Sequence, residues 1–235
     1  MFAGPNGSGK TTVKNGLSRP PDWFGLYINP DELEKTVRES GGVPIEALPL
    51  TIESDELRSF FAASSLLESR GLQSAADHIQ VTAGQIRFSG LTMNSYFASV
   101  LADFLRRKAL QSSKSFSFET VMSARDKVEL LAEAQRRGYR TYLYYVATAD
   151  PQLNITRVKR RVRQGGHDVP EEKIVSRYYR SLQLLPEAIR VANRAFLFDT
   201  SRDISWYFAE VTEGTNIELK PDSFPEWFRP VWEQF

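Results

Sequence analysis

The sequence has no cysteine and only two histidines, His78 and His167, among its 235 residues. Without cysteine there is no disulfide, thiol nucleophile or thiolate metal ligand, and two histidines almost exclude a histidine-based zinc site. No uncharged apolar run reaches the ~20 residues of a membrane-spanning helix, and residues 1–10 lack the charged and apolar regions of a signal peptide. We therefore expect a cytoplasmic protein without a membrane partner.

The sequence also lacks an excess of charge of either sign. Lys and Arg total 30 and Asp and Glu total 29, which gives a formal net charge of +1. A chain this balanced has no strong overall field, so no nucleic-acid partner is expected. Hydrophobic residues make up 41% of the chain, enough for one sizeable core, and we expect residues 1–235 to form a single domain.

Short apolar runs alternate with helical patterns, which is typical of an α/β protein with a parallel sheet. Ser123, followed by Asp126, resembles a capping box and predicts the start of one helix. The predicted strands cover residues 1–3, 24–28, 115–119, 142–146 and 195–199, and the predicted helices cover residues 10–17, 123–138, 150–164 and 170–193.

Two stretches depart from this alternation. Residues 41–90 hold a helical pattern over 54–70 and a hairpin pattern over 78–89, which predicts an insertion above the sheet. Because loops at the carboxyl ends of strands set substrate choice, we expect this insertion to shape a substrate pocket. Residues 205–235 hold a second hairpin pattern and three of the four tryptophans, so this tail is expected to pack against the domain.

Residues 4–11 match the phosphate-binding pattern G-x-x-x-x-G-K-[ST], between a predicted strand and a predicted helix, as a P-loop requires. Glycines let successive backbone N–H groups point at phosphate oxygens, and the helix N-terminus adds its positive end. Lys10 is expected to reach the β- and γ-phosphates and Thr11 to bind Mg²⁺. The alternative is a glycine-rich turn that only caps a helix. The predicted nucleotide-binding residues are Gly4, Pro5, Asn6, Gly7, Ser8, Gly9, Lys10, Thr11 and Thr12.

The first strand is unusual in length. Only three residues precede Gly4, whereas a strand usually has about five residues. Either the strand is short or the chain starts upstream of Met1. The sequence lacks the guanine-binding signature Asn-Lys-x-Asp, so nothing beyond the P-loop indicates a GTPase.

A carboxylate, Asp31, follows the second predicted strand. In a parallel sheet that end faces the ligand crevice, where a carboxylate can accept a proton from an attacking hydroxyl. Pro30, Asp31 and Glu32 also resemble a helix start. Position alone therefore fits a catalytic base and a helix cap equally well.

Basic residues crowd the helical pattern before Gly165 and Gly166. A charge run is usually a solvated helix face, but Arg157 and Arg161 are four residues apart and share one side. A position before a glycine hinge suits a kinase lid over residues 157–180, whose arginines stabilise a migrating phosphoryl group. The basic residues of this run are Arg157, Lys159, Arg160, Arg161 and Arg163.

Taken together, these segments make the sequence resemble the zeta-toxin family of P-loop kinases and its chromosomal relatives, often called UDP-N-acetylglucosamine kinases. The matching segments occur in order and span nearly the whole chain, except the insertion and the tail. They are FAGPNGSGKTT (Phe2–Thr12), INPDEL (Ile28–Leu33), FSFETVMS (Phe116–Ser123), RVKRRVRQGGHDVPEEKI (Arg157–Ile174), RYYRSL (Arg177–Leu182) and FDTS (Phe198–Ser201).

The resemblance implies a P-loop NTPase fold with five parallel strands in the order 2-3-1-4-5, flanked by helices. It also implies an ATP- and Mg²⁺-dependent kinase that phosphorylates a hydroxyl of a sugar nucleotide, with UDP-N-acetylglucosamine as the favoured acceptor. The residues Asp199–Ser201 would lie where related kinases pass the adenine ring.

The resemblance assigns roles by position. Asp31 corresponds to the catalytic base and Glu119 to a substrate-contacting carboxylate; without the resemblance, Glu119 would be a surface residue, a helix cap or a water-mediated Mg²⁺ ligand. The family often has two threonines after this glutamate, whereas this sequence has Thr120 and Val121. The implied catalytic residues are Asp31, Lys10, Arg157 and Arg161, and the implied substrate-binding residues are Asp31, Glu119, Thr120, His167 and Arg180.

Two other functions fit the sequence. One is a polynucleotide or nucleoside kinase, although the near-neutral charge argues against a polynucleotide acceptor. The other is a nucleotide-binding toxin or regulator that acts through a protein contact, with an antitoxin-like partner. An aromatic tail that is exposed and unpacked would support this second alternative.

Overall fold

The computed structural model describes residues 1–18, 20–166 and 168–235, and for Pro21 it describes the backbone only. The chain divides into two compact units: Met1–Arg19 with Glu119–Phe235 form the first, and Pro20–Phe118 form the second. The single domain expected over residues 1–235 stays a prediction.

Within the described residues, the strands are β1 (Phe2–Ala3), β2 (Leu26–Ile28), β3 (Gly42–Pro44), β4 (Ile79–Thr82), β5 (Gln85–Phe88), β6 (Phe116–Thr120), β7 (Tyr142–Ala147), β8 (Arg194–Asp199), β9 (Trp206–Thr212) and β10 (Asn216–Leu219). The α-helices are α1 (Lys10–Gly16), α2 (Pro30–Ser40), α3 (Ser54–Ala62), α4 (Ser65–Glu68), α5 (Ser95–Gln111), α6 (Asp126–Arg136), α7 (Pro151–Arg163), α8 (Glu171–Arg190) and α9 (Arg229–Trp232). Short 3-10 helices cover Pro21–Phe24, Ile45–Ala47, Gln73–His78 and Glu226–Phe228.

Parallel strands form the centre of the main sheet. In the first unit, β7 pairs with β1 on one side and with β8 on the other, and β1 pairs with the end of β6. In the second unit, β2 pairs with the beginning of β6, with Leu26 opposite Phe116. The parallel strands therefore follow the order β2-β6-β1-β7-β8, which confirms the order 2-3-1-4-5.

The tail hairpin enlarges this sheet. β9 pairs antiparallel with β8, and β10 pairs antiparallel with β9. The expectation of five strands is therefore wrong: the sheet is mixed and has seven strands, in the order β10-β9-β8-β7-β1-β6-β2. Without the hairpin, β8 would be an edge strand with unpaired N–H and C=O groups, and Phe208, Ala209 and Val211 of β9 are fully buried.

Strand β1 is short but well supported. Its two residues, Phe2 and Ala3, are buried and pair with both neighbouring strands. The Phe2 ring stacks on Tyr144 at a centroid distance of 4.8 Å, and Tyr144 stacks on Phe196 at 4.8 Å. This aromatic row crosses β1, β7 and β8 and fixes the strand that leads into residues 4–11.

The predicted insertion lies in the second unit. Its helical pattern forms two helices, because the Ser64 hydroxyl accepts a hydrogen bond from the Leu67 N–H and starts α4 after α3 has ended. The predicted hairpin is confirmed as β4 and β5, joined at Ala83 and Gly84, both with positive φ, as a two-residue hairpin turn requires. β3 extends this hairpin into a small antiparallel sheet with the order β3-β5-β4.

Two helix predictions are corrected. The capping box at Ser123 is wrong, because α6 begins at Asp126 with Arg125 in the capping position and no side-chain cap. Helix α5 was not predicted; it is capped by Asn94, whose side chain accepts hydrogen bonds from the Tyr96 and Phe97 N–H groups. Among the described residues, no helix has both the length and the apolar character needed to cross a membrane.

The tail packs as expected. Trp227 and Phe228 are buried, and the Trp227 indole Nε1 donates to the Asp199 carboxylate at 2.7 Å. Phe208 of β9 meets Phe228 edge to face at 5.1 Å. The C-terminal segment is therefore anchored to the end of β8.

Candidate functional site

Three glycines shape the loop between β1 and α1. Gly4, Gly7 and Gly9 have φ values of 141°, 73° and 85°, which favour glycine. A Cβ atom at Gly4 would lie 1.9 Å from the Val146 carbonyl oxygen, and one at Gly7 would lie 2.6 Å from the Asn154 carbonyl oxygen. Both positions therefore exclude a side chain.

The loop offers donors to an anion. Gly9 caps α1 without a side-chain hydrogen bond, and the first turn of the helix holds no acidic residue. The first N–H groups of a helix have no partner within it and carry its positive end. The Ser8 hydroxyl is buried and makes no hydrogen bond with any described residue. Since a buried unpaired donor is unfavourable, this loop suits a bound phosphate group.

Lys10 and Thr11 lie at the start of α1. The Lys10 ammonium donates to the carbonyl oxygens of Gly4 and Pro5 at 2.8 and 3.0 Å, so it lies over the loop. The Thr11 hydroxyl donates to the Glu119 carboxylate at 2.9 Å. Glu119 lies near the end of β6, opposite Phe2 of β1. The structure thus brings together Thr11 and Glu119, which sequence position alone could not join.

The Thr11 and Glu119 pair fits a magnesium ion. Mg²⁺ prefers oxygen ligands and is usually bound by one or two carboxylates, substrate phosphates and water. No group of three or more His, Cys, Asp or Glu side chains suited to a metal occurs in the described part of the chain. An ion at this pair would therefore take its other ligands from phosphate and water.

Thr120 is used within its own turn. Its hydroxyl accepts a hydrogen bond from the Met122 N–H at 3.0 Å, and its carbonyl accepts from the Gly4 N–H at 3.2 Å. Met122 is buried and has a φ of 51°, which is uncommon for a residue with a side chain. The contacts of Thr120 thus hold the turn after β6 against the P-loop.

The arginines of the predicted lid differ in their surroundings. Arg157 is partly buried, and its guanidinium donates to the Thr200 hydroxyl at 3.3 Å and to the Thr200 carbonyl at 2.6 Å. Arg161 is exposed one turn further along α7. Arg180 is exposed on α8, with its guanidinium 3.4 Å from the carbonyl and hydroxyl oxygens of Ser176. His167 lies outside the described residues.

Helices α7 and α8 pack through a small apolar cluster of Ile155, Val158 and Ile174. Lys159 of α7 and Glu171 of α8 form an ion pair at 2.5 Å. Other basic residues of α7, such as Arg160 and Arg163, are exposed. Much of the basic run is therefore exposed to solvent, as is usual for a charge run on a helix. Arg157 differs, because its side chain is directed inward.

Burial lowers the pKa of Arg177, and the positive charge of Arg180 lowers it further. Among the described residues, Arg177 forms no hydrogen bond or ion pair. A partly buried guanidinium in this setting would be stabilised by an anion.

Asp31 lies in the second unit, in the first turn of α2. The helix cap is Asn29, whose side-chain oxygen accepts from the Asp31 N–H at 3.0 Å. The interpretation of Asp31 as the cap is therefore wrong. Its carboxylate is exposed and makes no hydrogen bond or ion pair with the rest of the described chain, so it is available to a ligand.

Sequence reasoning missed a buried network behind the P-loop. Asn154 is fully buried; its side chain donates to the Asn6 carbonyl at 2.5 Å and accepts from the Thr148 hydroxyl. The Tyr178 hydroxyl donates to the Thr148 carbonyl at 2.6 Å, and burial is the main cause that raises the pKa of Tyr178. This network ties the loop to the first turn of α7 and to α8. Asn154 sits inside a helical pattern, so nothing in the sequence marks it.

The segment expected near the adenine ring holds the fold together. The Asp199 carboxylate accepts hydrogen bonds from the Ser201 N–H and hydroxyl at 2.9 and 2.8 Å, as well as from Trp227. The Thr200 N–H donates to the Ala147 carbonyl at 2.9 Å. These contacts connect the end of β8 to β7 and to the tail.

A glycine loop between a parallel strand and a helix, with a lysine and a hydroxyl at the helix start, defines an α/β protein of the P-loop class. The chain belongs to the zeta toxin family, whose sequence profile matches residues 49–207. This confirms the resemblance noted from the sequence. The matched range includes Glu119, Arg157 and Arg161 and begins after the P-loop and Asp31.

The individual proteins that resemble this chain share little sequence identity with it. A Haemophilus influenzae protein described as uncharacterized is 27% identical over 70 residues, which cover 30% of this chain and 50% of the relative. Two solved structures of the AvrRxo1-ORF1:AvrRxo1-ORF2 complex, one with sulphate ions and one with ATP, are similar in fold. In both, the TM-score is 0.53 and the identity 15%, over 99% of this chain. The chain spans 62% of the length of those chains and half the length of the curated relative.

Proposed function

We propose that this chain is an ATP-dependent kinase that transfers the γ-phosphoryl group to a hydroxyl of a small nucleotide-like acceptor. UDP-N-acetylglucosamine or a related sugar nucleotide is the first candidate. The observation that carries the proposal is the glycine loop with Lys10 above it and the Thr11 hydroxyl on Glu119. Membership of the zeta toxin family and the similarity to a complex solved with ATP support the choice of nucleotide.

In this mechanism the first unit binds the nucleotide. The N–H groups of the loop and the Lys10 ammonium bind the phosphates. Thr11 and Glu119 would hold Mg²⁺, which neutralises charge on the phosphate oxygens when bound. Lys10 would exchange its two carbonyl contacts for phosphate oxygens, which are stronger acceptors because they are charged.

Asp31 acts as the catalytic base. It accepts the proton of the acceptor hydroxyl as that oxygen forms a bond to the γ-phosphorus, and the bond from the γ-phosphorus to the β-phosphate oxygen breaks, so that ADP leaves. Arg157 and Arg161 stabilise the charge on the transferred group. We assign contacts with the acceptor to Glu119, which would also hold Mg²⁺, and to Thr120, His167 and Arg180. The insertion of residues 41–90 lies in the same compact unit as Asp31, which supports a role in acceptor choice.

The test is a product assay with Mg²⁺ and ATP and a panel of acceptors. The panel contains UDP-sugars, nucleosides and 5′-hydroxyl oligonucleotides, and mass spectrometry detects the gain of one phosphate. A phosphorylated UDP-sugar that is lost in Asp31→Asn would establish both the activity and the base. ATP binding without any phosphorylated product would refute the acceptor class.

A protein partner is a second element of the proposal. The family is one of toxins, and the similar structures are complexes of two proteins. We therefore propose that this chain acts as a toxin controlled by an antitoxin-like protein. If the toxic output is the kinase reaction, Asp31→Asn will abolish growth inhibition in cells. If the output is a protein contact, as for a regulator, the variant will inhibit growth like the wild type.

A further inference from the structure

Thr200 connects three elements behind the P-loop. It follows β8 and is 5% exposed. Its hydroxyl lies 2.7 Å from the Ser8 carbonyl oxygen and 3.3 Å from the Ala147 carbonyl oxygen. Arg157 donates to the same hydroxyl at 3.3 Å and to the Thr200 carbonyl at 2.6 Å. One residue thus contacts the loop, the end of β7 and the basic helix α7.

The direction of these hydrogen bonds can be assigned. A threonine hydroxyl has one proton to donate and lone pairs to accept with. The 2.7 Å contact with Ser8 is the better hydrogen bond, so the proton is directed there. Arg157 can only donate, so the hydroxyl accepts from it. The Thr200 hydroxyl therefore accepts a hydrogen bond from the guanidinium and donates one to the loop backbone, so that it links the two.

This bond also fixes the next N–H group of the loop. The peptide between Ser8 and Gly9 is planar and trans, so its C=O and N–H point in opposite directions. Because the Ser8 carbonyl is directed at Thr200, the Gly9 N–H is directed away from Thr200. Gly9 has a φ of 85° and caps α1, at the end of the helix where the N–H groups suit an anion.

We propose that Thr200 is a positioning residue for the nucleotide site: its hydroxyl orients the Ser8–Gly9 peptide for phosphate binding and fixes the guanidinium of Arg157. The inference rests on the proposed function, because it concerns the same site. It assigns Thr200 two separable effects. The contact with Ser8 governs nucleotide affinity, and the contact with Arg157 governs the rate of transfer.

Thr200→Val keeps the shape of the side chain and removes the hydroxyl, which leaves the Ser8 carbonyl without its donor. We expect about tenfold weaker ATP binding, since an unpaired buried acceptor is unfavourable, and about twofold or less change in Thr200→Ser, which keeps the hydroxyl. Thr212→Val, at an exposed position of β9, controls for the loss of a hydroxyl elsewhere. Calorimetry measures ATP affinity, and thermal unfolding verifies that each variant is folded.

Arg157→Gln provides an independent test. It removes the guanidinium but leaves the bond from Thr200 to Ser8, so kcat should fall while the affinity for ATP changes by less than about threefold. Combining Arg157→Gln with Thr200→Val should lower kcat little beyond Arg157→Gln alone, because both changes act on one contact. If Thr200→Val does not fold, the single Arg157→Gln variant can still be measured, and Thr200→Ser takes the place of Thr200→Val in the double variant.

The outcomes separate this inference from the proposed function. Weak binding in Thr200→Val with normal binding in Thr200→Ser and Thr212→Val supports it. Equal affinity in Thr200→Val and the wild type overturns it, and so does a Thr200→Ser variant as weak as Thr200→Val. A loss of ATP affinity in Arg157→Gln equal to its loss of kcat overturns the division of roles. A wild type that binds no ATP refutes the proposed function itself.

Discussion

The P-loop and the Asp31 turn differ in how they are held. The loop is fixed from behind by buried hydrogen bonds from Asn154 and Thr200, whereas Asp31 is exposed in a first helical turn that the Asn29 side chain caps. A preorganised loop loses little order when it binds phosphate. Under the proposed function, the exposed carboxylate is available to an acceptor, and binding of the acceptor would fix its position. Under the proposed function, this contrast distinguishes a rigid nucleotide site from an acceptor site that the substrate completes.

The largest effect should come from breaking the loop itself. Gly4→Ala places a Cβ 1.9 Å from the Val146 carbonyl at a φ of 141°. We expect the free energy of unfolding to fall by about 3 kcal/mol or more, and ATP binding to be lost. Gly16→Ala, where nothing lies within 4 Å of the new atom, should leave both unchanged. Equal stability of the two variants in denaturant would contradict a rigid loop.

Asp31→Asn should separate the two sites most clearly. Removing the base should lower kcat by roughly a hundredfold to ten-thousandfold, with stability and ATP affinity unchanged because the carboxylate is exposed. Glu32→Gln, the next exposed carboxylate on α2, is the matched control and should retain activity. Weaker ATP binding in Asp31→Asn, measured by calorimetry, would show that the acceptor side contributes to the nucleotide site.

Asn154→Ala should weaken the loop from behind. It leaves the Asn6 carbonyl and the Thr148 hydroxyl without their partner, so we expect unfolding to become easier by about 1–3 kcal/mol and ATP affinity to fall. Gln152→Ala, at an exposed position on the same helix, controls for helix effects. If ATP affinity were unchanged in a folded Asn154→Ala variant, the network would be structural only.

A charged network on β8 and β9, next to the edge strand β10, is expected to give the smallest effect. Burial alone would raise the pKa of Glu210, but hydrogen bonds from Arg194 and Tyr207 and the nearby positive charges bring it below its ordinary value of 4.5. A carboxylate with a lowered pKa stabilises the fold above its ordinary pKa, and this contribution is lost as the pH falls through the lowered value. The free energy of unfolding should therefore decrease as the pH drops below about 4.5.

Glu210→Gln should lower the free energy of unfolding by about 1 kcal/mol at neutral pH. It should also make the free energy of unfolding less dependent on pH in the acid range. Glu172→Gln, at an exposed position of α8, should keep the wild-type profile. ATP affinity should be the same in both variants, because the network lies on β9, apart from the loop. A change in ATP affinity in Glu210→Gln would contradict the distinction between networks that position the nucleotide and networks that only stabilise.

The sequence-based predictions that the structure confirms rest mainly on local patterns. The P-loop was found because its chemistry needs contiguous residues, and the parallel strand order followed from the family resemblance. Helix α5 was missed because buried residues such as Phe97, Val100 and Phe104 leave no clean polar face. The tail hairpin, β9 and β10, was predicted as a hairpin but not as part of the main sheet, because a hairpin pattern does not show which strand it pairs with.

The site was predictable only in part for the same reason. Lys10 and Thr11 are fixed by the motif, whereas the pairing of Thr11 with Glu119 spans 108 residues. The contact of Thr200 with Ser8 spans 192 residues. Thr200 lies in the matching segment FDTS, but that segment does not reveal its contact with Ser8, and Asn154 carries no local signal, since the role of each depends on partners that only folding brings near.

The bond between Ser8 and Thr200 also has a consequence for synthesis. The loop is translated 192 residues before Thr200, which supports it, an interval of about 10–40 s at ordinary translation rates. The anchor of Trp227 on Asp199 emerges later still. During this interval a ribosome-bound chain therefore carries the whole phosphate-binding motif without the contact from Thr200, and the loop gains this support only after Thr200 has been released from the ribosome.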